Sequence, residues 1–269
     1  MISAKELDLF IKVVYSEFGY DFSQYEQQIL QHRLAYLQEK LQFKSPNEII
    51  SYLLLDRTLF PEILSHLTIT ATEMFRDPQV FKYIREHILP ILATYSRIKI
   101  WHAGCATGEE AFAFTILLHE ENLLDRAIIY ATDINDQALR RAKAGILPLS
   151  SLSLCEQNYF KAGGKQNFFE YLTIDGGNGV FKDFIRNKIV FSDHNLVSDH
   201  SFSEVEIIFC RNVLIYFQKD LRNKVLTLFT HSLSHKGYLC LGHTETLRFT
   251  AFEHEYELIS RPYKIHRLR

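Results

Sequence analysis

The stretch I-K-I-W-H-A-G-C-A-T-G-E-E, from Ile98 to Glu110, decides the fold. Its first six residues, Ile98–Ala103, are mostly apolar and predict a short strand. Gly104 and Gly108 bound a turn, because glycine lets the backbone bend tightly and approach a ligand. The two acids after Gly108 predict the first turn of a helix, since negative charge is favourable at a helix N-terminus.

The alternation of predicted strands and helices continues after Glu110. A second strand is predicted over Ala127–Thr132 and a helix over about Asp136–Ala144, which indicates a parallel sheet with helices on its faces. Further strands are predicted over Lys188–Ser192, Glu206–Cys210 and Tyr238–Leu241, a helix over about Asp220–Leu233, and a closing antiparallel hairpin from Phe252–Ile259 and Tyr263–Leu268. The fold class is therefore α/β.

Two domains are predicted. Residues 1–92 favour an all-helical N-terminal domain and linker, because Gly19 is their only glycine and one helix carries an apolar stripe of Leu30, Leu34, Leu37 and Leu41. Residues 93–269 form the sheet domain. Within it, about 147–187 interrupts the strand–helix pattern with glycines and aromatics, which favours a small inserted subdomain.

Composition excludes several kinds of function. With 47% hydrophobic residues the chain can bury a sizeable core, and a net charge of −2 argues against nucleic acid as a partner. The four cysteines and the histidines lack metal-ligand spacing, so no metal site is predicted. There is no apolar run long enough for a membrane span and no apolar leader, so we expect a cytoplasmic monomer without membrane insertion.

The acids of this region favour one class of cofactor. Asp133 ends the second predicted strand, where nucleotide-binding α/β folds place an acceptor for ribose hydroxyls. Glu109 and Glu110 argue against a bound phosphate and favour a cationic, phosphate-free cofactor. S-adenosylmethionine fits this description, since it has a ribose, a sulfonium and an α-ammonium. The alternative is that Glu109 and Glu110 only stabilise the helix start.

Two more segments are candidates on weaker grounds. Arg211 and Asn212 follow an apolar strand, at the edge of the sheet where ligands bind, although they could equally form a solvated helix start. Residues 70–78 are polar and lie between the two predicted domains. Taken alone, this segment is typical of a helix-capping linker.

Six ordered motifs together resemble the CheR family of chemoreceptor methyltransferases. They are T-x-T-x-M-F-R-D-P from Thr70, W-H-A-G-C-A-T-G-E-E from Trp101, A-T-D-I from Ala131, H-N-L from His194, C-R-N-V-L-I-Y-F from Cys210 and G-Y-L-C-L-G-H from Gly237. The resemblance implies a Rossmann-like class I methyltransferase domain, with a mostly parallel sheet and a C-terminal antiparallel hairpin, beside an all-helical N-terminal domain and an inserted β-subdomain. It also implies methyl transfer from S-adenosylmethionine to glutamate side chains of a chemoreceptor cytoplasmic domain, with S-adenosylhomocysteine as product.

The resemblance also implies roles for the residues in matching positions. Those expected to bind the cofactor are Thr70, Thr72, Arg76, Glu110, Asp133, Asn195, Leu196, Arg211 and Asn212. Arg76 and Tyr216 resemble the residues nearest the transferred methyl and are the expected catalytic pair. Two positions depart from the usual pattern: Thr70 stands where many members have Asn, and Met74 where many have Phe.

The partner and the activity each leave alternatives. Arg33, Lys40 and Lys44 fall on one flank of a predicted helix and could meet an acidic receptor surface, or could simply be solvated. One alternative function is a methyltransferase of the same fold that acts on another protein or a small acid. Another is a non-catalytic cofactor-binding signalling module.

Overall fold

The computed structural model describes residues 2–70 and 72–269. The chain begins with four helices, α1 (Ala4–Phe18), α2 (Gln27–Lys40), α3 (Pro46–Leu55) and α4 (Phe60–Leu67). Local signals set their ends: Ser3 and Glu6 form a reciprocal capping box at α1, and Gly19 ends it in a left-handed conformation. No helix within the described residues combines the length and the apolar character that a membrane crossing requires.

The predicted leucine stripe lies in the core of this helical part. Leu30, Leu34 and Leu37 are buried among apolar residues of α1, α3 and α4, and Leu41, just past the end of α2, packs against the same cluster. Lys44 also lies past that end, so it does not share a helix flank with Arg33 as the sequence had suggested.

The next two helices pack on the sheet rather than on α1–α4. They are α5 (Pro78–His87) and α6 (Leu89–Leu92), and their buried Phe81 and Ile84 belong to the same core cluster as Ile98 and Ile100. The apolar core of the sheet part thus begins at Met74. The predicted division at residue 92 stays a prediction.

The sheet follows the predicted alternation. Its elements are β1 (Ile98–Ala103), α7 (Glu109–Glu120), β2 (Ala127–Asp133), α8 (Asp136–Ala144), β6 (Ile189–Asp193), β7 (Val205–Cys210), α11 (Lys219–Ser232), β8 (Leu233–Leu241), β9 (Tyr256–Ser260) and β10 (Ile265–Leu268). The strand order is β6-β2-β1-β7-β8-β10-β9, parallel through β8, with β10 antiparallel to both of its neighbours. The predicted fold class, including the closing hairpin, is confirmed.

The insertion is more helical than its glycine content had suggested. It contains a three-stranded antiparallel sheet of β3 (Ile146–Pro148), β5 (Asn178–Phe181) and β4 (Leu172–Asp175), in that order. It also contains α9 (Leu149–Lys161) and the short α10 (Asp183–Arg186).

The topology fixes where a ligand can bind. After β1 the chain builds β2 and β6 on one side, and then returns to place β7 on the other side of β1. In open α/β sheets the crevice at such a reversal, beyond the carboxyl ends of the strands, is the ligand site. Gly104 follows β1 and Arg211 follows β7, so both border this crevice.

Candidate active site

A cavity of about 290 Å³ occupies this crevice, between the carboxyl ends of the strands and residues of the N-terminal helices. The predicted site residues that line it are Thr72, Arg76, Glu110, Asp133, Asn195, Leu196, Arg211, Asn212 and Tyr216. Thr70 is half-buried and is not among the lining residues. The cavity therefore brings together predicted residues from five separate parts of the sequence.

The glycine turn after β1 forms one wall. Gly104 has a φ of +75°, and a Cβ placed there would lie 2.6 Å from Cγ2 of Val213. Its N–H and that of Cys105 donate to the Thr132 carbonyl oxygen at the end of β2. Any larger residue at position 104 would push the loop after β7 away, so the glycine keeps the two strand ends close enough to share one cavity.

Asp133 lies at the next strand end, where the sequence predicted a ribose acceptor. Its Oδ2 accepts from the Ala106 N–H at 2.8 Å and its Oδ1 from the Asn135 N–H at 2.9 Å. Burial raises the pKa of the Asp133 carboxyl, and these backbone bonds oppose part of that rise. The carboxyl is thus held in one orientation at the cavity wall, and each oxygen retains acceptor capacity for a ligand.

The two acids of α7 have different surroundings. Glu110 lines the cavity, and its carboxylate accepts from Arg211 Nη1 at 2.8 Å and lies 3.1 Å from His102 Nδ1. Burial raises the Glu110 pKa, but the His102 hydrogen bond and the Arg211 charge outweigh it and hold the pKa below its usual value. Glu109 instead accepts from the hydroxyl of Thr107 and does not line the cavity.

Arg211 ties three parts of the site together. Its side chain is 3% exposed, and it donates to Glu110, to the Arg76 carbonyl oxygen at 3.1 Å and to Asp77 Oδ2 at 2.6 Å. It therefore holds residues 76–77 against the start of α7. Its contacts with protein groups indicate a structural part in the site alongside any contact with the cofactor.

Asn212 has a backbone conformation that is uncommon for a residue with a side chain. Its φ is +62°, and Glu245, 4% exposed, holds it by accepting from the N–H groups of Asn212 and Val213 at 3.0 and 2.9 Å. Glu245 also accepts from the Gly242 N–H at 2.5 Å. The Asn212 Oδ1 is buried and has no partner among the described residues, so a donor on a bound ligand could use it.

The segment before α5 contributes the mouth of the cavity. Thr72 is half-buried and Arg76 is exposed, while Phe75 and Asp77 on either side of Arg76 have φ values of +52° and +55°. Burial raises the pKa of the Tyr216 hydroxyl and the Arg76 charge opposes this. The hydroxyl of Tyr216 is therefore protonated at neutral pH. The Arg76 and Tyr216 side chains both line the cavity.

Asn195 and Leu196, the remaining predicted cofactor-binding residues, lie in the loop after β6. The Asn195 side-chain oxygen accepts from the Val197 N–H at 2.9 Å, and its own N–H donates to Asp199 at 2.8 Å. This turn places Leu196, which is 9% exposed, in the cavity wall. The wall here is apolar and suits a flat ring.

Several residues of the cavity escaped the sequence analysis. From the helical part they are Phe22, Tyr25, Glu26 and Ile29; Glu73 and His194 lie within two of the motifs but were given no role. The Glu26 N–H donates to the Tyr216 carbonyl oxygen at 2.8 Å, which attaches the start of α2 to the loop after β7. Burial, and then the charge of Asp133, raise the pKa of the Tyr25 hydroxyl. No sequence signal pointed to Phe22–Ile29, because all six motifs begin at Thr70 or later.

Comparison with known proteins assigns both parts of the chain. Residues 70–264 match the description "CheR methyltransferase, SAM binding domain", and residues 5–68 match "CheR methyltransferase, all-alpha domain". The chain belongs to the CheR methyltransferase family. This confirms the resemblance seen in the six motifs, and the cofactor of the chain is S-adenosylmethionine.

Curated relatives of this CheR-family chain match it over nearly its whole length. A Pseudomonas putida protein named Cher3 is 42% identical over 97% of this chain and 96% of its own length. The chemotaxis protein methyltransferase 1 of Vibrio cholerae is 32% identical over 96% of this chain and 94% of its own length. The chemotaxis protein methyltransferase of Borreliella burgdorferi is 30% identical over 92% and 90%.

Proposed function

We propose that this CheR-family chain transfers methyl groups from S-adenosylmethionine to glutamate side chains of a chemoreceptor cytoplasmic domain. The relatives named chemotaxis protein methyltransferase support the choice of partner. The observation that carries the proposal is that exposed Arg76 and half-buried Tyr216 line the same cavity as Glu110 and Asp133. A guanidinium and a phenol hydroxyl are both donors suited to a carboxylate. On this proposal the chain works in the cytoplasm as a monomer.

The lining residues fit the cofactor. Glu110, with its lowered pKa, is a carboxylate at neutral pH and would accept from an α-ammonium. Asp133 would accept from ribose hydroxyls, and the unpartnered Oδ1 of Asn212 would accept one further donor. Asn195 and Leu196 would border the adenosine, and Thr72, Arg76 and Arg211 the methionine side. Thr70 would act from just outside the cavity.

The acceptor needs little chemical activation. A glutamate side chain has a reference pKa of about 4.3, so it is already a carboxylate nucleophile at neutral pH. S-adenosylmethionine, when bound, supplies a methyl group attached to a sulfonium, and the sulfur becomes a neutral thioether when the methyl is transferred. Arg76 would orient the incoming carboxylate and Tyr216 would donate to its other oxygen. Positioning of this kind can lower a barrier by roughly 7–11 kcal/mol.

The test is methyl transfer to a defined acceptor. The chain is incubated with S-adenosylmethionine labelled in its methyl group and with a purified receptor cytoplasmic domain. We expect protein-bound label that is released by mild base, as a glutamate methyl ester requires. A receptor variant whose methylatable glutamates are replaced by alanine serves as the control and should remain unlabelled.

The alternatives give different results in the same assay. Label that appears on a small acid, or on another protein but not on the receptor, would overturn the proposed substrate. Binding of S-adenosylhomocysteine without transfer to any acceptor would favour a non-catalytic signalling module.

A further inference from the structure

We propose that His102 is a positioning residue that fixes the Glu110 carboxylate in the orientation that receives the α-ammonium of the cofactor. This inference rests on the proposed role of Glu110. His102 is the fifth residue of β1 and is 1% exposed, so it does not reach the solvent. Its Nδ1 lies 3.1 Å from Oε1 of Glu110, which follows the glycine turn as the second residue of α7.

The packing of the ring leaves His102 little freedom. It stacks on Phe209 of β7, with ring centroids 4.6 Å apart and planes 8° apart, and its edge meets Phe114 of α7. The stacked arrangement aims Nδ1 at α7. A side chain held from two sides in this way can orient Glu110, whose side chain is more exposed than that of His102.

The other ring nitrogen identifies the tautomer. Nε2 of His102 is buried and has no partner among the described residues. A protonated ring would place a second buried N–H there without an acceptor, which is costly in apolar surroundings. We therefore assign a neutral ring with the proton on Nδ1, so that His102 donates to the carboxylate and Nε2 keeps only a lone pair.

The charges of the cluster agree with a neutral donor. Glu110 and Asp77 both bond to the guanidinium of Arg211, so two carboxylates share one cation and leave a formal charge of −1. A neutral imidazole orients Glu110 without cancelling that charge. The Glu110 charge thus remains available to the α-ammonium, whereas a positively charged residue at position 102 would compete with that ammonium for it.

The experiment compares two ligands that differ in the amino-acid half. S-adenosylhomocysteine carries the ammonium, and 5′-methylthioadenosine lacks it. His102→Phe keeps a stacked ring but removes the donor, and we expect it to weaken S-adenosylhomocysteine binding about tenfold while 5′-methylthioadenosine binding is unchanged. His102→Asn restores a donor and should recover part of the loss. Dissociation constants are measured by calorimetry on the full chain.

A matched control is available in the same sheet. His266 on β10 is also buried and also has an Nε2 without a partner among the described residues, but, unlike His102, its ring has no hydrogen bond to a described residue that lines the cavity. His266→Phe should leave both affinities unchanged. Should His102→Phe fail to fold, His102→Leu gives the same comparison with a smaller apolar side chain.

Two results would overturn the positioning role. One is an equal loss of affinity for both ligands, which would mean a general disturbance of the cavity. The other is unchanged S-adenosylhomocysteine binding. Neither measurement needs a protein acceptor, so failure here is distinguishable from failure of the methyl-transfer assay on the receptor.

Discussion

At the scale of single residues, Asp133 is the sharpest test of the cofactor site. Asp133→Asn keeps the size of the side chain and one acceptor oxygen but removes the charge. We expect S-adenosylhomocysteine binding to weaken by about 1–3 kcal/mol, because buried ribose hydroxyls lose a charged acceptor. Asp136→Asn, on the exposed start of α8, is the control and should bind normally. An unchanged dissociation constant for Asp133→Asn would remove this residue from the site.

Arg76 should separate catalysis from cofactor binding. Because Arg76 is exposed at the mouth of the cavity, we expect Arg76→Ala to lower turnover by far more than it lowers S-adenosylhomocysteine affinity. Arg76→Lys keeps the charge but not the two-pronged geometry, and should fall between wild type and the alanine variant. Kinetics with a receptor domain and calorimetry give the two quantities. Equal losses in both would reduce Arg76 to a cofactor ligand.

The sequence could predict those site residues that directly follow a predicted strand, but not those brought in from distant segments. Arg211 and Asn212 follow a strand directly, so the topology of a parallel sheet placed them at the ligand edge. Glu245, four residues after the end of β8, holds the backbone of Asn212, and no spacing rule in the sequence connects these two residues. The left-handed conformation of Asn212 is likewise a consequence of this tertiary contact and has no sequence signal of its own.

At the scale of elements, a buried cluster joins α5, α7 and the insertion. The Glu120 side chain is fully buried and accepts from Arg85 at 2.5 Å, from the Tyr171 hydroxyl at 2.9 Å and from the Tyr159 hydroxyl. Burial raises the Glu120 pKa, but the Tyr159 and Arg85 hydrogen bonds outweigh it and the pKa lies below its usual value. The cluster therefore stabilises the fold only while Glu120 is ionised.

This predicts a pH-dependent effect of Glu120→Gln. A lowered folded-state pKa contributes stability that is present above the unfolded pKa of about 4.3 and is lost as pH falls through the folded value. At pH 7 we expect the variant to lose about 3 kcal/mol of unfolding free energy, because Arg85 loses its fully buried carboxylate partner and keeps only Glu121, which is 21% exposed. In urea titrations the gap to wild type should shrink below about pH 4. Glu86→Gln, exposed on α5, is the control. A gap that does not depend on pH would contradict the ionised cluster.

The helices and strands were largely predictable from the sequence, with α9 as the main exception. The predicted β1 and α8 have the bounds seen in the structure, because strand periodicity and caps are local signals. Helix α9 was missed, although its buried Leu152, Cys155 and Tyr159 follow helical spacing. Glycines and aromatics surround it in the sequence, although only Gly176 and Gly177 form the turn between β4 and β5. These surrounding residues obscured a helical pattern of three residues.

At the scale of the whole molecule, the helical part closes the site. Tyr25 pairs with Phe217 through an antiparallel bridge, and the Gln218 N–H donates to the Gln24 carbonyl oxygen at 2.8 Å. These partners are far apart in the sequence. Periodicity could therefore predict helices α2 and α11, but not the contact between the segments that precede them. The cavity that results has one wall from each part of the chain.

The basic side chains suggested for docking divide into two kinds. Arg33 is half-buried, and it donates through Nε to the His66 carbonyl oxygen at 2.8 Å and through Nη2 to the Thr68 carbonyl oxygen at 3.2 Å. It therefore caps the end of α4, and its replacement would disturb the fold. Lys40 and Lys44 are exposed and remain available to a partner.

The docking prediction therefore concerns Lys40 and Lys44 alone. Lys40→Glu with Lys44→Glu should leave S-adenosylhomocysteine binding intact, because neither residue lines the cavity. Methylation of an acidic receptor surface should slow, and most at low ionic strength, where charges are least screened. Lys143→Glu with Lys224→Glu, two exposed lysines on α8 and α11, reverses the same charge elsewhere and should have a smaller effect. If both pairs slow methylation equally, net charge governs the encounter and the surface around the end of α2 is not the docking site.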